Sequence, residues 1–104
     1  MPLSTHVLDA AKGRPARDVP VRLERREDDG YRQVAEARTD ADGRVRDWGG
    51  AELANGTYRL VFDTAGLSDF YPEVAVAFVV GDPGQHYHVP LLLSPFAYST
   101  YRGS

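Results

Sequence analysis

Two of the three histidines in this sequence stand two residues apart, in His86-Tyr87-His88. In an extended chain such a pair points to one face. Paired imidazoles can move protons near neutral pH, because the ordinary histidine pKa is about 6.5. They can also bind a metal ion if a third ligand joins them, but no carboxylate stands at a spacing that suggests one. The plain alternative is two solvated histidines at the start of a strand. His6 lies in Leu3-Ser4-Thr5-His6-Val7-Leu8-Asp9 and, taken alone, reads as a partly buried histidine with a hydrogen bond. Arg44 follows the tight Asp42-Gly43 turn and, taken alone, reads as a surface arginine. There is no cysteine, hence no thiolate nucleophile, thiolate zinc site or disulfide. No Gly-x-Ser-x-Gly elbow and no glycine-rich phosphate loop are present. The chemistry left open is proton transfer by histidine, with arginine available for developing negative charge.

These residues need a rigid frame, and the chain supplies one in short extended runs. Turn signals recur at Lys12-Gly13-Arg14-Pro15, Asp28-Asp29-Gly30, Asp40-Ala41-Asp42-Gly43, Asn55-Gly56, Asp82-Pro83-Gly84 and Ser94-Pro95. Between them apolar residues alternate with period two. Val19, Val21 and Leu23 oppose Arg22 and Glu24, and Tyr58, Leu60 and Phe62 oppose Arg59 and Asp63. Val74, Val76, Phe78 and Val80 form a third apolar face, and Val89, Leu91 and Leu93 a fourth. This pattern predicts about eight antiparallel strands in a two-sheet β-sandwich, residues 1–104 forming one domain. If Val89, Leu91 and Leu93 fill the core, then His86, His88, Pro90 and Leu92 project from the outer face. Thr64 to Phe70 is the one place for a short helix or turn. Pro20 and Pro90 interrupt apparent strands and must sit at edges or face outward. The last strand, Phe96 to Arg102, carries three aromatic residues and one charge, which favours docking over fraying.

Composition narrows the partners. A chain of 104 residues has a small core and little room to enclose a site, which makes a site shared between subunits worth considering. With 12 basic and 15 acidic residues, a basic nucleic-acid surface is not expected. No apolar run is long enough for a membrane span. The first residues lack a basic segment followed by an apolar stretch, and the last are not Ser-Lys-Leu, so a cytoplasmic protein is expected.

The run from His86 to Ser104, with His86-Tyr87-His88-Val89-Pro90-Leu91-Leu92-Leu93-Ser94-Pro95 and the final Tyr101-Arg102-Gly103-Ser104, closely resembles the C-terminal signature of the 5-hydroxyisourate hydrolases, the transthyretin-like enzymes of urate degradation. Leu3 to Asp9 is similar to their N-terminal signature, and Thr39-Asp40-Ala41-Asp42-Gly43-Arg44 and Phe70-Tyr71-Pro72-Glu73-Val74 resemble two internal motifs. The resemblance implies a transthyretin-like β-sandwich assembled as a homotetramer, a dimer of dimers with active sites where the dimers meet. It implies cofactor-free hydrolysis of a cyclic amide in 5-hydroxyisourate, giving 2-oxo-4-hydroxy-4-carboxy-5-ureidoimidazoline. It carries His6, Arg44, His88 and Tyr101 as catalytic residues, and Arg44, His6, Tyr101 and Ser104 as contacts to substrate. His6 and His88 would activate water and shuttle protons, Arg44 would hold carbonyl oxygens, and Tyr101 would donate to the ring or leaving group. Ser104 would orient a cationic neighbour through its carboxylate. The competing reading is a transthyretin-like carrier without catalysis. One departure stands out: between Phe62-Asp63-Thr64 and Phe70-Tyr71-Pro72 only five residues intervene, where the family usually has a longer segment with a short helix. A truncated helix or a turn is expected there.

Overall fold

The computed structural model describes residues 1–104. Ten strands run in chain order: β1 (Leu3–Asp9), β2 (Arg14–Pro15), β3 (Pro20–Glu27), β4 (Gly30–Arg38), β5 (Arg44–Val45), β6 (Gly56–Asp63), β7 (Glu73–Val80), β8 (Tyr87–His88), β9 (Leu91–Ser94) and β10 (Ala97–Thr100). One sheet has the order β10-β9-β1-β2, with β5 and β8 also paired to β1; the other has the order β4-β3-β6-β7. Three of the ten strands are two residues long, so seven longer strands stand against the expected eight or so. No helix is present, so none is long and apolar enough to cross a membrane. The segment after β6 is a turn, with Leu67 and Ser68 N–H both donating to the Thr64 carbonyl.

The alternation read from the sequence becomes the core. Leu3 and Val7 of β1, Val45 of β5 and Leu91 and Leu93 of β9 face Val21, Leu23, Tyr58, Leu60, Phe62, Val74 and Val80 of the opposite sheet, all buried. Each fully buried Leu or Phe contributes about 1.5–3 kcal/mol. Trp48 closes one end and donates its indole N–H to the Leu3 carbonyl at 3.0 Å. On the outer face of the second sheet Glu24 is nearly buried. Burial works to raise its pKa, but hydrogen bonds from Arg59 and Arg22 outweigh that and hold it below the usual glutamate value.

Pairing directions differ from the antiparallel expectation in one place. β3, β4, β6 and β7 are antiparallel throughout, but β1 runs parallel to β8 and β9. Period-two alternation reports which face is buried and carries no sign of strand direction. Both prolines fall where a missing N–H is harmless. Pro20 is the first residue of β3, and Pro90 lies in the break between β8 and β9. β10 is paired to β9 over four residues, yet its side chains are exposed.

The turn before β5 is held tightly. Gly43 has φ +75° and donates to the Asp40 carbonyl, while its own carbonyl receives the Val7 N–H at 2.7 Å. A Cβ at position 43 would come within 2.5 Å of the Val7 carbonyl oxygen. Gly13, at φ +68°, has open space around it. Gly43→Ala should therefore cost about 2–4 kcal/mol in urea unfolding, combining backbone strain and overlap, against about 1–2 kcal/mol for Gly13→Ala. Equal losses would refute the close approach to β1.

Candidate functional site

The outer face of the first sheet holds the residues singled out above. In β1 burial alternates, so Leu3, Thr5, Val7 and Asp9 point inward while Ser4, His6 and Leu8 point out. On one side of β1, His6 pairs with Arg44 of β5. On the other, Ser4 pairs with His88 of β8. The same parallel register continues from Ser4/His88 to Val7/Leu91, which sets Pro90 beside His6. Likewise β10 meets β9 at Thr100/Leu91 and bridges at Gly103/His88, which sets Tyr101 opposite Pro90. Two rows thus cross the sheet. One reads Tyr101, Pro90, His6, Arg44; the other reads Gly103, His88, Ser4 and, continuing the β1–β5 register, Arg46.

His6, Arg44 and His88 are half-buried neighbours in these rows. Tyr101 is 57% exposed and about 10 Å from His6, since two strand spacings separate them. It also lines a 310 Å³ groove with Val76, Phe78 and Val79 of β7, so one chain alone does not bring it against the histidines. Ser104 follows Gly103 and is exposed.

Each side chain is fixed by a local device. The Asp42 carbonyl lies 2.8 Å from His6 Nε2. A carbonyl only accepts, so this nitrogen carries a hydrogen, and Nδ1 takes no part in that bond. Asp40 builds the turn that presents both Asp42 and Arg44. Its carboxylate accepts from the Asp42 and Arg44 N–H groups at 2.9 and 3.0 Å. Hydrogen bonding from Arg44, then from Asp42, with the charges of Arg46 and Arg44, outweighs partial desolvation and lowers the Asp40 pKa.

His88 Nδ1 lies 2.8 Å from Ser4 Oγ, and His86 Nε2 lies 2.9 Å from the same oxygen. That leaves His88 Nε2 without a protein hydrogen-bond partner. Gly103 lies against this ring: its N–H donates to the His88 carbonyl at 2.8 Å, and a Cβ there would overlap the imidazole. Burial lowers the His88 pKa below 6.5, and the nearby charges of Arg44, His6 and His86 act in the same direction, against a hydrogen bond to the Ser4 backbone. That direction favours the neutral imidazole of His88. On the Ser4 side a 260 Å³ depression is lined by Leu3, Ser4, Thr5, Arg44, Arg46 and His86. No group of three or more His, Cys, Asp or Glu side chains is placed to hold a metal.

Sequence reasoning missed Ser4, Arg46 and Asp40. Period two from His6 and Arg44 points to the first two, and an Asx turn before Gly43 points to the third.

A two-sheet sandwich with a histidine and arginine face on its outer surface defines a class, and the chain belongs to it: the model of the HIUase/transthyretin family matches residues 3–103. A 5-hydroxyisourate hydrolase of Caulobacter vibrioides is 50% identical over 112 aligned residues, covering 98% of this chain and 97% of the relative. The structure of Klebsiella pneumoniae 5-hydroxyisourate hydrolase superposes with a TM-score of 0.84 at 37% identity, covering 98% of this chain and 97% of that one. Transthyretin from Sparus aurata superposes with a TM-score of 0.88 at 34% identity, covering 98% and 96%. The backbone therefore does not separate the hydrolase from transthyretin; the side chains on the sheet face must.

Two outcomes follow for His88. Its imidazole should titrate below pH 6.5 by NMR. Arg44→Gln, which removes a positive neighbour but not the burial, should move that midpoint part of the way up. A midpoint at or above 6.5 in the unaltered protein would refute this electrostatic picture.

Proposed function

We propose that this chain hydrolyses 5-hydroxyisourate, opening one cyclic amide to give 2-oxo-4-hydroxy-4-carboxy-5-ureidoimidazoline. The observation that carries the reading is geometric: His88, with Nδ1 against Ser4, shares the outward face with His6 and Arg44, and burial beside Arg44 lowers its pKa. The family match and the hydrolases among its relatives support the same activity.

Hydrolysis of a cyclic amide needs three things: a base for water, a positive partner for the oxyanion, and a proton for the leaving nitrogen. His88 Nε2 takes a proton from water as the hydroxide adds to the carbonyl carbon. Arg44, held by its turn, presents guanidinium hydrogens to carbonyl oxygens and to the developing oxyanion. His6, its Nε2 committed to Asp42, offers Nδ1 to substrate or to a proton in transit. Tyr101 donates to the ring or leaving group once assembly brings it to the substrate, and the Ser104 carboxylate orients a cationic neighbour. No cofactor is required by these steps.

We also propose a homotetramer, a dimer of dimers whose clefts unite such faces. Its support is physical. Phe70, Val79, Phe96, Tyr98 and Tyr101 stay 43–77% exposed on this chain. Exposed aromatic surface on a small sandwich is the usual sign of a partner. Cytoplasmic action belongs to the same proposal. The carrier reading is less well supported, because ligand carriage does not call for a neutral imidazole beside a fixed arginine.

The test is ultraviolet absorbance of freshly generated 5-hydroxyisourate with and without protein, with spontaneous decay subtracted. His88→Ala should cut turnover at least ~100-fold while leaving the fold intact. Undiminished turnover in the folded variant would defeat the assignment. Dilution into dimers, followed by sedimentation, should abolish activity without unfolding; an active dimer would show that the site needs no second dimer.

A further inference from the structure

Ser4 Oγ stands within hydrogen-bond distance of two imidazoles at once, 2.8 Å from His88 Nδ1 and 2.9 Å from His86 Nε2. A serine hydroxyl has one hydrogen to donate and lone pairs to accept with. Between two imidazoles it can therefore accept from one while donating to the other, and it cannot donate to both. His88 is half-buried and His86 is exposed, so this chain of three groups runs from the reaction face to solvent. We propose that His86 and Ser4 form a proton relay that discharges and reloads His88 during each turnover. The proposal rests on His88 as the base.

The proton count closes. At rest His88 Nδ1–H donates to Ser4 Oγ, Ser4 O–H donates to His86 Nε2, and His88 Nε2 holds a lone pair. Nε2 then takes a proton from the attacking water. The resulting imidazolium is poorly placed, half-buried with Arg44 and His6 nearby and Arg46 in the same row. Its Nδ1 proton moves to Ser4 Oγ while Ser4 passes its own to His86 Nε2. His88 is neutral again, now with hydrogen on Nε2, and the positive charge sits on His86 at the surface. When the amide nitrogen departs it takes the Nε2 proton, and the relay runs backward, returning a proton from His86 to His88 Nδ1. The water supplies one hydroxide to carbon and one proton to nitrogen, and the relay ends as it began.

The register supports this placement. Ser4 is two residues before His6 on the outward face of β1 and directly opposite His88, so the hydroxyl is held by two paired strands rather than a loop. His86 is the other half of the His-x-His pair and has no role in the steps assigned to His88, His6 and Arg44.

The test is kcat in a dilute non-imidazole buffer, then with rising imidazole at constant pH and ionic strength, with decay blanks subtracted. Ser4→Ala and His86→Gln should each lose about tenfold in kcat with KM held within about twofold, a smaller loss than removing a general base causes. Imidazole should restore most of the loss, since a free buffer can carry the proton that the relay no longer moves. Ser4→Thr, which keeps the hydroxyl, should stay near the unaltered rate. Full kcat in both Ser4→Ala and His86→Gln, or a loss that imidazole does not recover while melting temperatures are unchanged, overturns the relay. His88→Ala separates the two readings: if it is inactive while the relay variants keep full kcat, only the relay fails, and if it stays active, the base assignment fails first.

Discussion

The pairing of β1 on both its edges is the constraint on which the rest of the molecule depends. Parallel contacts to β8 and β9 lie on one side, and antiparallel contacts to β5 and β2 on the other. Because side chains alternate along a strand, this ladder sends Leu3, Thr5 and Val7 into the core and Ser4 and His6 to the outside. A slip of one residue would exchange the two sets, burying a histidine and exposing Leu3 and Val7. Two side-chain bonds oppose such a slip. Thr5 Oγ1 donates to the Val89 carbonyl, and Trp48 Nε1 donates to the Leu3 carbonyl, both buried. Hydrophobic burial and site geometry are thus consequences of one register.

The electrostatics of the face follow from the same arrangement. Neighbouring strands are only about 4.8 Å apart, so Arg44 beside His6 and His88 beside Ser4 place several cations and imidazoles close together. That crowding, added to burial, favours neutral imidazole at His88. It also explains why Arg44 is delivered by so short and stiff a turn. Asp40 binds two N–H groups of that turn and Gly43 allows it to pass against Val7, so the guanidinium stem starts from a fixed point. A flexible loop would lose more entropy on each productive encounter.

A transthyretin and a 5-hydroxyisourate hydrolase both superpose on this chain, with TM-scores of 0.88 and 0.84. Such closeness means that the sandwich is a frame, and that function is decided by which side chains it displays. The outer face of a sheet suits this division of labour. Outward residues can change without disturbing the inward set, because the two are separated by the pleat. The cost is openness, since a sheet face is shallow and a small chain has nothing left over to roof it.

Much of the fold was legible in the chain itself. Val89, Leu91 and Leu93 alternate with His88, Pro90 and Leu92, and that local period alone sent His88 outward, where it is found. The family motifs pointed to His6, Arg44 and His88, and the five residues after Thr64 form a turn rather than a helix. Other features were decided only by tertiary structure. The parallel pairing of β1 with β9, the seat of Ser4 between His86 and His88, and the alignment of Arg46 with that row all join segments far apart in sequence. The hold of Asp40 on Arg44 is local, yet its value to the site appears only when β5 lies against β1. Alternation is a property of one strand and is written in neighbouring residues. Register between strands is set by the packing of the whole core, and it is register that turns three separate stretches of chain into one set of side chains.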